Sequence, residues 1–221
     1  SISESKPFTG HFDGQNNTIT FSYNTGNDPI LDYIAPFRYV MGGILNHTNH
    51  ATISNLYVDS HIVGVNSTHL AGLIANLKGL VNVTNCHVQA LFTCTGTATD
   101  SYCAGLVSHA DLTENGDPYY YGNANDGTLT ISGCTVSGSI LTYGKYAGGF
   151  VGMAEGKTSI ENSVSGVTIR SFVSGDGTHG GFIGLQQNTM NYTDVKTTIE
   201  GCLFNGKLIN SNEVTTQCGG F

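Results

Sequence analysis

The sequence predicts an all-β fold, a right-handed parallel β-helix (a β-solenoid) of about six coils, and two recurring patterns predict it. The first is Gly148-Gly149-Phe150-Val151-Gly152, which returns as Gly42-Gly43-Ile44-Leu45, Ala71-Gly72-Leu73-Ile74, Ala104-Gly105-Leu106-Val107, Gly180-Gly181-Phe182-Ile183 and Gly219-Gly220-Phe221. From one second glycine to the next the spacings are 29, 33, 44, 32 and 39 residues. Such a period marks units that cannot bury their own apolar face and stack on their neighbours. The second pattern is an apolar set, Ile53, Leu56, Val58 and Ile62, repeated as Val83, Cys86, Val88, Phe92, as Ile131, Cys134, Val136, Ile140, and as Ile199, Cys202, Phe204, Leu208. Its offsets of +3, +5 and +9 are foreign to the 3.6-residue rhythm of a helix. Right-handed winding is the default for parallel crossover connections.

Taken in order, residues 1–40 form an opening coil with an N-terminal cap or loop. Phe8-Thr9-Gly10-His11-Phe12-Asp13-Gly14 and Thr18-Ile19-Thr20-Phe21 alternate large apolar with small or polar residues, the mark of strands, on either side of the turn Gln15-Asn16-Asn17. Gly26, Pro29 and Pro36 break the pattern over 24–36. The regular units occupy 41–221 and continue the same body. Within a unit the step from +3 to +5 is strand alternation, and the offsets of three and four on either side imply bends. Ile160, Ser163 and Ile169 continue the set, but Ser165 falls in the apolar slot and Gly166 comes one residue early, so Val164 is expected to turn inward with a local bulge. Stacking places like residues about 4.8 Å apart in columns. The chain has no initiator Met and ends on the first residues of another unit, so a piece of a longer protein is expected.

Gly148-Gly149-Phe150-Val151-Gly152 followed by Ser159-Ile160-Glu161-Asn162-Ser163-Val164-Ser165-Gly166 resembles the GLUG repeat, and the opening 8–19 segment resembles the coil that often precedes such repeats. The resemblance covers roughly residues 7–221 through five or six short copies in series. It implies a right-handed parallel β-helix in large secreted or surface-anchored proteins, often adhesin-like and sometimes accessory segments of surface peptidases. It brings no common catalytic residues.

Composition narrows the partners. Eight Lys plus Arg against 16 Asp plus Glu leave a net charge of -8, which repels a phosphate backbone and argues against nucleic acid. No run of about 18 apolar residues occurs to span a membrane as a helix. Of six cysteines, Cys86, Cys134 and Cys202 share the inward slot of the repeat, where a small weakly polar filler suits the core. Cys86 and Cys134 lie one coil apart, close enough to bond if the side chains rotated. Cys94 and Cys103 close a short loop and are the disulfide candidates, while Cys218 is left over. Glycosylation triplets stand at Asn16, Asn46, Asn66, Asn82 and Asn191, as many as an Asn-, Ser- and Thr-rich chain produces by chance. Asn16, Asn46, Asn66 and Asn191 are the candidates, and Asn82 opens a strand.

The longest insertion, 111–127, carries Asp111, Glu114, Asp117 and Asp126, a weak Ca²⁺ set that matches no EF-hand spacing. At its centre Tyr119, Tyr120 and Tyr121 cannot all face one core, so at least one is expected to be exposed for a sugar or a protein partner. Of the eight histidines, His47, His50, His61, His69, His87 and His109 fall in different phases of different units and read as solvated loop residues. The pectate-lyase and polygalacturonase constellations need clustered carboxylates with a basic partner, yet the chain's two arginines, Arg38 and Arg170, lie in no Arg-x-Lys and only Asp176 lies near Thr178-His179-Gly180-Gly181. Two function classes follow. One is a non-catalytic extracellular module, an adhesin stalk or filament unit that stacks end to end on itself or on another protein. The other is a carbohydrate-binding or polysaccharide-degrading domain, a lyase or hydrolase, using loop 111–127 on surface glycans.

Overall fold

A computed structural model describes residues 4–26, 32–43, 49–96, 101–111, 128–174, 177–187, 197–210 and 216–221. Over these residues the chain is all-β without a helix, and every pairing between strands is parallel. The strands fall into three sheets that the chain visits in rotation. One short strand joins a six-stranded sheet (Tyr33–Ile34, His69–Ala71, Tyr102–Ala104, Tyr146–Gly148, Gly177–Gly180, Thr216–Gly219). The next, just past the glycine corner, joins a five-stranded sheet (Phe37–Met41, Ile74–Lys78, Val107–Ala110, Val151–Ala154, Ile183–Gln186). The longest stretch then enters a ten-stranded sheet that begins with His11–Asn24, Ala51–Gly64 and Leu80–Cys94.

Register explains the repeated offsets. Ile53, Val83, Ile131, Ile160 and Ile199 lie opposite one another on successive strands. Val58, Val88, Val136, Ser165 and Phe204 form a second column, and Ile62, Phe92, Ile140, Ile169 and Leu208 a third. All but the last member of each are at most 3% exposed. Burying each such aliphatic side chain stabilises by roughly 1.5–3 kcal/mol, so the columns are the main favourable contribution to the fold.

The bend ahead of the +3 slot has a backbone cause. Asn55, Asn85, Gly133, Asn162 and Gly201 precede the slot in each unit, and all have φ between 48° and 64°. Only glycine and asparagine enter this left-handed region at low cost, which accounts for the residue types found there. The asparagines add a polar column, in which Asn85 Nδ2 donates to Asn55 Oδ1 at 2.8 Å and Asn55 Nδ2 donates to Asp13 Oδ1 at 3.0 Å.

Three expectations are corrected. The offset of four between +5 and +9 is not a bend: Val58, Ser60 and Ile62 alternate inward on one unbroken strand, and Ser60 stands in register with Ala90 and then Gly138. The inward residue there is small, so a search for large apolar residues passes over it. Nor does Val164 turn inward, since Ser165 itself is fully buried and Val164–Ser171 pairs with Thr135–Thr142 without a register shift. Finally, regular pairing starts before residue 41. Tyr33–Ile34 and Phe37–Met41 already lie in the six- and five-stranded sheets, and the Gly42 amide donates to Lys78 O beyond the corner. Pro36 stands between those two strands, where later units have Gly72 or Gly105, which hides the first corner from a glycine count.

The second glycine of each corner faces the middle column. A methyl group at Gly72, Gly105, Gly149 or Gly181 would come within 2.6 Å of Val88, Val136, Ser165 or Phe204, respectively. A side chain there would overfill the interior.

Candidate functional site

Outward side chains on either side of the corner meet and fill the angle between the six- and five-stranded sheets. Counting three residues back from the first four corners gives Tyr33, His69, Tyr102 and Tyr146, which lie in register along the six-stranded sheet. Their rings contact in series, with centroids 4.2 Å apart for Tyr33 and His69, 4.9 Å for His69 and Tyr102, and 5.4 Å for Tyr102 and Tyr146. From the five-stranded sheet Tyr39, Asn76 and His109 stand in register. Tyr39 packs on Tyr33 at 4.9 Å, while His109 packs on Tyr102 at 4.8 Å and on His69 at 5.6 Å.

Burial sets the charge states in this angle. It drives the His69 pKa down to about 3, with the neighbouring His109 adding to the effect, so the imidazole is neutral. It likewise pushes the Tyr33 hydroxyl up to about 12, with nearby Tyr39, Glu4, Asp111 and Asp32 adding to it.

At the mouth of the angle, where strands Val107–Ala110 and Val151–Ala154 end, Asp111 and Glu155 follow on adjacent strands. The Asp111 amide donates to Leu77 O and the Glu155 amide to Ala110 O, both at 2.9 Å, which aligns Lys78, Asp111 and Glu155 in one row. Lys78 Nζ is 3.4 Å from Asp111 Oδ2 and 3.8 Å from Glu4 Oε1. His109 Nε2 is 3.6 Å from Glu155 Oε1. Ligand atoms of His109, Asp111 and Glu155 all lie within 4.8 Å of one another. Burial raises the Asp111 carboxyl above its ordinary value, His109 and Lys78 oppose that shift, and the hydrogen-bonded Glu155 carboxylate reinforces it.

The comparisons with known proteins touch only the fold. No family model matches the chain, and no curated protein does. A crystal structure of a "putative immunoglobulin A1 protease" from Bacteroides ovatus is similar at a TM-score of 0.51, with 16% identity, over 98% of this chain and 70% of that one. At that identity the likeness concerns chain path alone.

Of the residues singled out from sequence, Asp111 enters the cluster just described. Glu114, Asp117, Asp126, Tyr119, Tyr120, Tyr121, Asn46 and Asn191 lie outside the described residues. Asn16 and Asn66 are exposed at positive φ, and Asn82 is half-buried. Cys94 and Cys103 face each other with Sγ atoms 2.8 Å apart, both as free thiols. Cys86 and Cys134 stack as expected for one slot, the Cys134 sulfur accepting from the Cys86 amide at 3.4 Å. Its hydrogen bond to Cys134, together with burial, raises the Cys86 thiol pKa.

The histidine expectation is corrected in part. His61 is exposed, but His69 and His109 are 6% and 8% exposed. Spacing within one unit could not show this, because His69 and His109 belong to successive units and meet across a corner. Aligning the units on their corners would have exposed the aromatic column at the third position before the first four.

Proposed function

We propose that the chain is a right-handed parallel β-helix of GLUG-repeat type, serving as a non-catalytic structural or adhesive module of a secreted or cell-surface protein. The three-sheet rotation and the in-register columns support the solenoid. The observation that carries the structural role is the run of inward columns in register across the ten-stranded sheet, which continues to its last strands. Ile199, Cys202, Phe204 and Leu208 are only partly buried, and Leu203 and Phe221 are 53% and 70% exposed. Phe221 closes an aromatic column with Phe182 and Phe150, with centroids 5.5 Å and 5.2 Å apart. Beside it lies a cleft of about 370 Å³ lined by His179, Ile183, Leu185, Ile199, Cys218 and Phe221.

Such a parallel edge, with no further strand paired to it among the described residues, is a template for more strands. Its occupant in this proposal is either further coils of the same repeat in a longer chain or a second copy of the solenoid, stacked end to end. Sedimentation and electron microscopy of the 221-residue chain test it. End-joined particles that rise with concentration and disappear in L203K/F221E support the proposal, whereas a monodisperse monomer at every concentration overturns the stacking. Incubation with immunoglobulin A1 tests the non-catalytic part, since specific cleavage would refute it.

A further inference from the structure

We propose that His109, Asp111 and Glu155 form a binding site for a divalent transition-metal ion of the zinc class. Two independent observations point there. The first is the donor set: one imidazole nitrogen and two carboxylates converge within 4.8 Å. Around a tetrahedral ion with bonds of about 2.0–2.1 Å, ligand atoms stand about 3.3 Å apart. The 3.6 Å between His109 Nε2 and Glu155 Oε1 is already close to that.

The second is the state of His109. The residue is 8% exposed, and its buried Nε2, directed at Glu155, has no hydrogen-bond partner among the described residues. A buried polar atom left so is costly, and a metal bond is one way to satisfy it. The rest of the ring is held in place. Tyr102 packs on it, and Asn76 Nδ2 lies 3.4 Å from Nδ1. There Asn76 Nδ2 donates to Nδ1 and the ring proton sits on Nε2; ion binding exchanges that proton for the metal and requires the amide to turn so that its oxygen accepts from Nδ1–H, the arrangement in which an outer partner fixes the tautomer of a ligating histidine.

The donor types select the metal. Calcium needs six to eight oxygens, and the cluster offers two carboxylates and a nitrogen. Imidazole with carboxylate suits zinc, and water completes the shell at the open mouth of the angle. The competing cation is Lys78, 3.4 Å from Asp111. It has an alternative partner in Glu4, 3.8 Å away, so the ion can replace it beside Asp111 without stranding the ammonium.

The test is titration of the chelator-stripped 221-residue chain with Zn²⁺ against a chromogenic zinc indicator, repeated with Co²⁺ to read the visible bands of a low-coordinate site. One equivalent is expected, with E155Q and H109A each lowering affinity at least about 100-fold, N76A lowering it about 10- to 100-fold, and H50A unchanged. Because His109 is buried, E155Q decides if H109A misfolds: its metal-free melting curve should match wild type, and added Zn²⁺ should raise the melting temperature of wild type only. Absence of binding by wild type, or an equivalent retained undiminished in E155Q, overturns the site.

Discussion

Cys94 and Cys103 come from different sheets of one unit, and their sulfur atoms approach to 2.8 Å across the interior. Burial raises the Cys103 thiol well above its ordinary pKa, with the hydrogen bond to Cys94 adding to the shift, which keeps the Cys103 thiol slow to react in the native fold. We predict that folding in a glutathione redox buffer yields a Cys94–Cys103 disulfide, read as a mass 2 Da lower and two fewer titratable thiols after denaturation. Closing so short a loop contributes about 2–3 kcal/mol in the chain-entropy model. Six free thiols after oxidative refolding would contradict it.

Replacing Gly105 with Ala should destabilise by about 1–3 kcal/mol or more, because the new methyl group would meet both a Val136 methyl and the Gly149 carbonyl oxygen. The double variant G105A/V136A distinguishes the two clashes. Urea midpoints should show partial recovery only, since the backbone carbonyl of the adjoining corner stays where it is. Full recovery would mean that the valine alone requires glycine here.

At the first bend, N85A should cost about 1–2 kcal/mol, from the left-handed backbone and the lost bond to Asn55, while N85G should cost less. Thermal melts of the two variants order them. If alanine proves no worse than glycine, the positive φ is not what selects this residue.

His179 is 2% exposed, and burial lowers its pKa from the ordinary 6.5, partly offset by its hydrogen bond to the Gly144 carbonyl. The unfolded chain therefore takes up a proton near pH 6.5 that the folded chain refuses. Stability contributed by the neutral ring is whole above that pH and declines below it, until the lowered folded value is reached. The slope from this one group is at most about 1.4 kcal/mol per pH unit. H179Q should flatten the fall in the urea midpoint between pH 7 and pH 5, and an unchanged slope would exclude His179 as a source.

The inward columns were legible because aliphatic residues recur at fixed offsets, and Ile53, Val83, Ile131 and Ile160 do stand in register. Small residues misled. Ser60, Ala90 and Gly138 form an inward column that hydropathy passes over, and Pro36 disguised the first corner. The His109–Asp111–Glu155 cluster was harder to see, since His109 and Glu155 lie in successive units and are 46 positions apart. Only alignment of the strands brings their side chains together. Ser165 remains a departure from the rule, a fully buried hydroxyl with no hydrogen-bond partner among the described residues.

The parallel register has a kinetic corollary. Each strand borders only its counterparts one turn of the repeat earlier and later, so ordering one level prepares the bonding edge for the next, and the separation between partners stays near thirty to fifty residues however many levels are added. A chain built this way can zip outward from whichever level orders first, its folding limited by that initial nucleus and not by overall length.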